Sequence, residues 1–393
     1  MTLEQFYQLQ REQGRELLGQ LAHEPLNDEN ILPVLERYRK DFPAELVAAA
    51  VELQLLRKKA RGKFSHADVM FFTRDGMEMA SAEPVARHTA RRFSGIARVM
   101  DLCCGIGGDA LALADVCQHV IAVDRDALAL AMARANAQAV HLEKVVEFLQ
   151  ADVTELMARP PVLFGKPDAI FIDPSRREAR AAAKRPESYA PPLSWCLGLV
   201  QIAPRVGIKV SPALDYEEAL AATSAEVEIV SLHGECKEAM LWLGHFRTCT
   251  RRATVLPAGV SLTDDGPTSD ALGDVGDWLY EPDGAIIRAH LVQRLAGELS
   301  LHRIDPEIAY LSGDREIASP FVNGYRVTSV IPWNLKRLNV VLKERGIKHI
   351  TIKKRGFPLT PEELRPKLKL SGSGHATLIC TKIHGKPAVI LTE

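Results

Sequence analysis

The stretch between residues 96 and about 250 alternates short β-rich runs with helical stretches, and this alternation limits the possible folds more than any other feature of the chain. Strands that alternate with helices are typical of a parallel sheet with helices on both faces. Only His233–Ala239 separate the last two runs, which is too short for a crossover helix, so these two strands are predicted to form an antiparallel hairpin. The β-rich runs are Ala97–Leu102, His119–Val123, Val146–Leu149, Ala169–Ile172, Val206–Val210, Val227–Leu232 and Met240–Leu243.

Segments of different character flank this region. Residues 1–95 are predicted to form an N-terminal helical segment, because apolar residues recur there at helical spacing. Residues 96–254 form the predicted α/β domain. Residues 255–277 are rich in Gly, Asp, Thr, Ser and Pro and are predicted to be a linker. Residues 278–393 combine helical and strand patterns, so a second domain of the α+β class is predicted there.

Two helix starts are predicted from their capping residues. Ser81 is placed to cap a helix over residues 81–93. Thr360 is placed to cap a helix that begins at Pro361, and Glu363 stands where a capping box requires an acidic side chain. In both cases a side-chain oxygen is expected to accept a hydrogen bond from the first turn of the helix.

Composition excludes several classes of protein. Of the 393 residues, 47% are hydrophobic and 25% are charged, which excludes global disorder. No apolar run approaches the roughly 18 residues of a membrane span, and no signal peptide is recognisable at the N-terminus. The seven cysteines are scattered and form no C-x-x-C pair, which indicates reduced thiols in a cytoplasmic protein and no structural metal site.

Charge is distributed unevenly along the chain. The whole chain has a net charge of −1, yet the 60 residues from Asn334 to Glu393 contain 13 Lys and Arg against 4 Asp and Glu. This basic excess allows two interpretations, an ordinary solvated surface or a surface that binds phosphate backbones. The same two interpretations apply to the basic run Arg176–Arg185.

Polar or glycine-rich residues follow each of the first four predicted strands. Since open α/β sheets bind ligands at the carboxyl ends of their strands, these residues are the candidate site. Glycines after the first strand allow the backbone to approach a ligand closely at a helix N-terminus. The candidates are Asp101 near the end of the first strand, Cys103, Gly105 and Gly107 after it, Asp124 and Arg125 after the second, Asp152 and Val153 after the third, and Asp173, Pro174 and Arg176 after the fourth.

The position of Asp101 favours some ligands over others. Gly105, Gly107 and Ala110 also satisfy the G-x-G-x-x-A pattern of NAD(P) sites, but a carboxylate in that turn opposes a pyrophosphate. A carboxylate there suits an ammonium group, which S-adenosylmethionine carries. In this interpretation Asp101 lies near the amino-acid moiety. Asp124 then binds the ribose and Asp152 the adenine amino group. NAD(P) and a domain without any nucleotide remain alternatives.

The motifs resemble those of a known family. D-x-x-x-G-x-G, the acidic strand end at Asp124, the Ala-Asp-Val at Asp152 and the Asp-Pro at Asp173 resemble the ordered motifs of class I S-adenosylmethionine-dependent methyltransferases. The resemblance covers roughly residues 96–250 and implies a Rossmann-like seven-stranded sheet that ends in an antiparallel hairpin. It also implies S-adenosyl-L-methionine as cofactor and methyl transfer as the activity.

Two flanking segments narrow the resemblance. The segment from Ser81 to Ala90 is similar to one that precedes the same motif in trimethylguanosine synthase-like enzymes. The lysine-rich tail, including Ile352–Phe357, resembles the THUMP-like domain at the C-terminus of a bacterial methyltransferase family. THUMP domains imply RNA, so RNA is the partner that this resemblance predicts.

The predicted catalytic residues are those of the turn after the fourth strand. In methyltransferases that act on exocyclic amines, an Asp/Asn-Pro-Pro-aromatic turn positions the amine. Asp173 and Pro174 match its first half, whereas Ser175 and Arg176 depart from its second half. Stacking on a base is then left to the guanidinium of Arg176, or to Tyr189 or Trp195 in the following loop.

The function expected from the sequence is methylation of an RNA base at an exocyclic or ring nitrogen, and three alternatives stay open. The Asp-Pro-x-Arg turn also resembles RNA 5-methyluridine enzymes, which need a cysteine nucleophile, and Cys236 is the best placed candidate. A non-catalytic RNA-binding protein with a degenerate methyltransferase domain is the second alternative. A methyltransferase that acts on protein or on a small molecule is the third.

Overall fold

The computed structural model describes residues 1–27, 29–158, 165–175, 186–216 and 223–393. The chain divides into two compact units. The first comprises Met1–Glu226 and Glu238–Thr248, and the second comprises Val227–Lys237 and Cys249–Glu393. Among the described residues, no helix is both long and apolar enough to cross a membrane.

The described part of residues 1–95 contains six α-helices, which confirms the predicted helical segment. Apolar side chains of this segment such as Phe6, Leu53 and Phe72 are buried in one core, and this core also contains Ile106 and Met132 of the α/β region. The N-terminal helices therefore pack directly against the elements that carry the predicted site. They are α1 (Leu3–Gln10), α2 (Glu12–Leu21), α3 (Ile31–Tyr38), α4 (Ala44–Ala60), α5 (Arg74–Met79) and α6 (Glu83–Ala90).

The strands of the sheet lie close to where the sequence predicts them. They are β1 (Arg98–Leu102), β2 (His119–Asp124), β3 (Val146–Gln150), β4 (Ala169–Ile172), β5 (Arg205–Val210), β6 (Glu226–Leu232), β7 (Glu235–Gly244), β8 (Arg251–Leu256) and β9 (Val260–Thr263). Four helices are described between them, α7 (Gly108–Ala114), α8 (Ala127–Ala139), α9 (Val153–Met157) and α10 (Leu193–Leu197).

The hydrogen-bonded order of these strands is β3-β2-β1-β4-β5-β7-β6-β8-β9. β1 to β5 pair in parallel, and β7 is antiparallel to β5. The Rossmann-like order of the seven predicted strands, in which β6 and β7 are neighbours, is thereby confirmed. β8 and β9 extend this order, and β9 lies within residues 255–277, where the sequence predicts a linker.

The second unit contains a seven-stranded sheet and four described helices. The strand order is β11-β12-β10-β13-β16-β15-β14, in which β14 and β15 are parallel. Leu338, Leu342, Leu378 and Val389 are buried in its core. The strands are β10 (Trp278–Pro282), β11 (His302–Arg303), β12 (Leu311–Gly313), β13 (Val322–Pro332), β14 (Ile347–Lys354), β15 (Gly374–Ile383) and β16 (Lys386–Thr392). The helices are α11 (Gly284–Arg288), α12 (Val292–Leu299), α13 (Leu335–Glu344) and α14 (Pro361–Leu364).

One of the two predicted helix caps is confirmed and the other is wrong. Oγ1 of Thr360 accepts from the amide of Glu363 at 3.2 Å, and a carboxylate oxygen of Glu363 accepts from the amide of Thr360 at 2.7 Å. At the start of α6 the N-cap is Ala82, which offers no side-chain cap. Ser81 instead donates to Oδ2 of Asp109 at 3.1 Å and accepts from Nζ of Lys209. Its hydroxyl thereby satisfies buried charged groups and does not cap the helix.

Candidate active site

A cleft of about 1120 Å³ opens in the first unit at the carboxyl ends of its parallel strands. This is large enough for a nucleotide-like ligand, since such clefts typically measure about 300–1,000 Å³. Residues of the N-terminal helical segment, among them Glu52, Arg74 and Met79, contribute to its wall. The predicted site residues that line it are Asp101, Cys103, Gly105, Asp124, Arg125, Asp152, Val153, Asp173 and Pro174.

Two of the predicted site residues, Gly107 and Arg176, are not among the cleft-lining residues named above. Gly107 belongs to the same turn and is the N-cap of α7. Arg176, with the rest of the basic run Arg176–Arg185, lies outside the described residues. The other nine predicted cofactor and acceptor residues line the same cleft.

The turn after β1 depends on glycine. Gly107 has φ +90°, in the left-handed region, and a Cβ there would lie 3.1 Å from Cβ of Ala133 on α8. Asn136, also on α8, donates to the carbonyl of Ile106 at 3.0 Å and accepts from the amide of Phe71 at 2.7 Å. This fully buried amide ties the turn to the N-terminal segment. Sequence reasoning missed Asn136, which stands in an otherwise unremarkable helical run.

Asp124 holds the turn from the end of β2. Its Oδ2 accepts from the amide of Gly105 at 2.8 Å, and its Oδ1 accepts from the amide of Asp126 at 2.9 Å. Each carboxylate oxygen has a second lone pair for a ligand hydroxyl. The carboxylate is therefore fixed in one orientation at the edge of the cleft.

Asp152 is fixed in a similar way after β3. Its Oδ1 accepts from the hydroxyl of Thr154 at 2.6 Å and from the amide of Thr154 at 2.9 Å. These hydrogen bonds lower the pKa of Asp152. Its Oδ2 is 3.9 Å from Nη1 of Arg125. Asp152 is thus an ionised hydrogen-bond acceptor at the cleft.

Asp101 is completely buried, and neither of its carboxyl oxygens has a hydrogen-bond partner among the described residues. Burial raises its pKa well above the ordinary value of 3.8, and the charges of Asp109 and Asp173 add to the increase. A buried polar group without a partner is costly, so the site favours a ligand that brings a cationic donor. The ammonium of S-adenosylmethionine fits this requirement.

A buried ammonium connects Asp173 to two further carboxylates. Lys209 of β5 is 5% exposed, and its Nζ lies 2.8 Å from Oδ2 of Asp173. The same Nζ is 3.3 Å from Oδ2 of Asp109 and 3.6 Å from Oε2 of Glu238. It also donates to Oγ of Ser81. Burial lowers the pKa of Lys209 but the three carboxylates raise it by more, so the net shift is upward and the side chain is cationic.

Sequence reasoning missed Lys209 and Glu238, which lie on β5 and β7. Glu238 is 2% exposed, and its Oε1 accepts from the hydroxyl of Thr89 at 2.6 Å. The available signal was a charged residue inside an apolar strand, as in Ile208-Lys-Val210, because such a residue needs a partner. The identity of that partner is not visible in the sequence.

The turn after β4 is tied to the loop that precedes α10. The amide of Ser175 donates to the carbonyl of Ala190 and the reverse bond is also formed, both at 2.9 Å. Tyr189 lines the cleft beside this turn, and its Oη accepts from the amide of Ser211 at 3.1 Å. Of the two aromatic residues considered for stacking, Tyr189 contributes to the cleft wall.

Cys236 is half-buried at the start of β7, within the second unit. Burial raises the pKa of its thiol to about 11, with a contribution from Asp283. A Cβ on Gly284 would lie 3.0 Å from its Sγ, so the sulfur is closely packed. The thiolate, which is the nucleophilic form, is disfavoured at neutral pH.

Parts of the chain match known families. Residues 96–176 match a family described as RNA cap guanine-N2 methyltransferase. Residues 322–393 match the THUMP domain-like family, and residues 2–60 match a domain of unknown function, DUF8688. The chain is 38% identical over 82 residues to a 23S rRNA (uracil(1939)-C(5))-methyltransferase of Xanthomonas axonopodis. These residues are 21% of this chain and 18% of that protein.

Two comparisons cover most of the chain. A putative methyltransferase from Porphyromonas gingivalis W83, known from a crystal structure, has the same fold with a TM-score of 0.73 and 22% identity, covering 94% of this chain and 99% of that one. An uncharacterised S-adenosylmethionine-dependent methyltransferase of Mycobacterium tuberculosis is 33% identical over 342 residues, which are 85% of this chain and 92% of the relative. The chain therefore belongs to the S-adenosylmethionine-dependent methyltransferases, and S-adenosylmethionine is its cofactor.

Proposed function

We propose that this enzyme methylates a nitrogen on a base of RNA. The observation that carries the proposal is the carboxylate of Asp173, which lines the cleft immediately after β4 and is followed by Pro174. The match of residues 96–176 to the RNA cap guanine-N2 methyltransferase family supports a base nitrogen as acceptor. The THUMP-like match of residues 322–393 and the basic excess of the C-terminal residues support RNA as the partner.

Residues at the strand ends hold the cofactor in this proposal. S-adenosylmethionine supplies an activated methyl group on its sulfonium. Asp101 accepts from the ammonium, Asp124 from the ribose hydroxyls, and Asp152 from the adenine amino group. The backbone and side chains of Cys103, Gly105, Gly107, Arg125 and Val153 complete the binding surface.

Asp173 and Pro174 orient the acceptor. The Asp173 carboxylate accepts a hydrogen bond from the N–H of the base, which aims the nitrogen lone pair for an in-line displacement. The ring of Pro174 restricts the turn, and Tyr189 supplies an aromatic wall. Arg176 remains a proposed contributor through stacking or phosphate binding.

The C-terminal domain binds the phosphate backbone of RNA in this proposal. Its exposed basic side chains include Lys336, Lys343, Lys348, Lys354 and Lys367. Binding of this kind weakens steeply with salt, because each neutralised phosphate releases counterions. We propose the cytoplasm as the location, where RNA and the cofactor meet.

Methyl transfer to macromolecules tests the proposal. Tritiated S-adenosylmethionine and the purified enzyme are incubated with total RNA, DNA or protein from a strain that lacks the gene. Label in RNA that is lost on ribonuclease treatment is expected, and nucleoside mapping then identifies the modified atom. Label confined to protein, DNA or small molecules contradicts the RNA assignment.

The similarity to a uracil C5 methyltransferase over 82 residues favours a second candidate, transfer to C5 of a pyrimidine with Cys236 as nucleophile. The raised pKa of that thiol opposes this candidate. Replacing Cys236 with Ala separates the two. Transfer to nitrogen predicts that the variant retains most of its activity, whereas transfer to C5 predicts complete loss.

A further inference from the structure

Asp173 is not an isolated carboxylate, because it belongs to a cluster of charged side chains around Lys209. One ammonium, 5% exposed, lies within 3.6 Å of oxygens from three carboxylates that come from different elements of the first unit. Asp109 and Asp173 line the cleft, whereas Lys209 and Glu238 are buried among strand residues. The ammonium therefore touches the acceptor side of the cleft from within the protein.

Stability alone does not account for this arrangement. Burying an ion pair costs desolvation free energy that its attraction often fails to recover, and well-packed apolar residues are commonly at least as stable. Here three carboxylates surround one cation, so acidic charge is also in excess. An arrangement of this kind is better explained by the orientation and ionisation it imposes on a reacting group.

We propose that Lys209 is a positioning residue, which holds Oδ2 of Asp173 so that the carboxylate faces the acceptor nitrogen in one orientation. Ser81 and Glu238 hold Lys209 in turn, and Thr89 holds Glu238 through its hydroxyl. The proposal rests on the proposed function, since it assumes an acceptor that donates an N–H. It adds four residues to the machinery of the turn, which come from β5, β7, α6 and the segment before α6.

The chemistry assigns Asp173 one proton. Transfer forms a nitrogen–carbon bond as the carbon–sulfur bond breaks, and the electron pair of that bond stays on sulfur, which becomes a neutral thioether. The methylated nitrogen then loses one proton. Asp173 accepts this proton through the existing hydrogen bond and releases it to water. Lys209 keeps its protons throughout and stabilises the carboxylate before and after the step.

Several titratable groups surround this carboxylate and contribute to any pH dependence. An ammonium beside a carboxylate favours its ionised form, whereas the surrounding acidic groups oppose ionisation. Lys209 is a cation whose ammonium contacts the Asp173 carboxylate, and the other groups named here are acids or a thiol. The titratable groups are Asp101 of β1, Cys103 of the glycine turn, Asp109 of α7, Lys209 of β5 and Glu238 of β7.

The test replaces the ammonium and follows the pH dependence of transfer to total RNA from the deletion strain. Lys209→Met is expected to lower kcat about 100-fold and to move the acidic limb of the kcat profile up by about one pH unit. KM and the S-adenosylmethionine Kd, measured by calorimetry, are expected to change less than about threefold. Lys209→Arg retains a cation and is expected to keep the limb near its wild-type position.

Two further variants guard against misfolding and nonspecific effects. Lys209→Met combined with Glu238→Gln removes one charge of each sign and leaves the buried net charge unchanged. Circular dichroism and cofactor binding show whether it folds, and its pH limb is expected to shift like that of the single variant. Lys237→Met removes an exposed lysine of β7, the strand that carries Glu238, and serves as the matched control.

The outcomes separate the two proposals. A folded variant without Lys209 that keeps the wild-type kcat and acidic limb overturns the positioning role. So does a loss of cofactor affinity that accounts for the whole loss of rate. Failure of the wild type to label RNA instead overturns the proposed function, and the ratio of variant to wild type is then measured on whichever pool accepts the label.

Discussion

The two units contain clusters of charge with opposite composition. In the first, one buried ammonium on Lys209 faces carboxylates from three residues. In the second, one half-buried carboxylate on Glu281 lies 2.5 Å from Nζ of Lys353 and 3.3 Å from Nη2 of Arg355. The two cations lower the pKa of Glu281 against the effect of burial. The cluster around Lys209 thus has more acidic than basic side chains, and the cluster around Glu281 has more basic than acidic side chains.

This difference matches the ligands that each region is proposed to bind. An acidic cleft favours a cofactor with an ammonium and a sulfonium, and a basic surface favours a polyanion. Asp101 and the charged side chains around Lys209 are largely buried, so single substitutions there are expected to have large effects. The charges of the C-terminal domain are mostly exposed, so their effects are expected to be smaller and spread over many residues.

Asp173→Ala is expected to produce the largest effect. Removing the group that orients the acceptor and takes its proton lowers kcat by about 10²–10⁴-fold. Cofactor Kd, measured by calorimetry, is expected to change less than about threefold, because the strand ends that bind the cofactor are intact. Asp173→Asn retains a hydrogen-bond acceptor but no charge. Its kcat is expected to lie between that of the wild type and that of Asp173→Ala. Substantial activity of the Ala variant would show that another residue positions the acceptor.

Asp101→Asn is expected to weaken cofactor binding by about 10–100-fold, since one charge-assisted hydrogen bond is lost. Calorimetry in buffers of different ionisation enthalpy provides a second readout. A cationic ligand lowers the raised pKa of Asp101, so binding to the wild type releases protons and affinity rises with pH. The variant is expected to lose this proton release, while Asp68→Asn, an exposed control, keeps it.

The same substitution is expected to stabilise the fold. A carboxyl whose pKa is raised in the folded state favours folding below its unfolded pKa, and this contribution is lost as pH rises through the folded value. Asp101 therefore destabilises the protein increasingly above about pH 4. Thermal melts without cofactor are expected to place Asp101→Asn above the wild type at pH 7, with the gap closing near pH 4. Equal melting temperatures at both values would contradict the unpaired state of this carboxyl.

The sequence predicts the cleft and its strand-end residues well, because these are local features. Asp124, Asp152 and Asp173 each end or follow a strand, so the alternation of elements locates them at one edge of a parallel sheet. Lys209 could not be predicted as a neighbour of Asp109, since 100 positions separate them and only the register of β5 brings them together. Ser81 was misassigned for the same reason, as its partners lie on distant elements.

The basic residues of the C-terminal domain are expected to give a smaller effect. Replacing Lys336, Lys348 and Lys354 with Gln is expected to weaken RNA binding about tenfold and to reduce the salt slope by about one per lost phosphate contact. At saturating RNA, kcat is expected to stay close to that of the wild type. Filter binding across a salt series measures both quantities.

A matched control for the C-terminal variant removes the same number of charges elsewhere. Arg11, Arg15 and Lys40 are exposed in the first unit, and their replacement with Gln is expected to leave RNA binding nearly unchanged. Equal losses from the two triple variants would mean that net charge alone governs binding. The proposed division between an acidic cleft and a basic RNA-binding surface would then be abandoned.

Thr360→Ala is expected to give the smallest effect and tests whether the basic domain needs a rigid fold. The substitution removes one half of the capping box at α14, which costs about 1 kcal/mol of stability. Because α14 is short and Leu364 anchors it in the core, the loss is expected to be local and to lower the melting temperature by a few degrees. RNA affinity is expected to stay within about twofold, since exposed lysines bind phosphates without a fixed geometry. A much larger loss of RNA affinity in the folded variant would mean that this surface recognises a defined shape, as the cleft does.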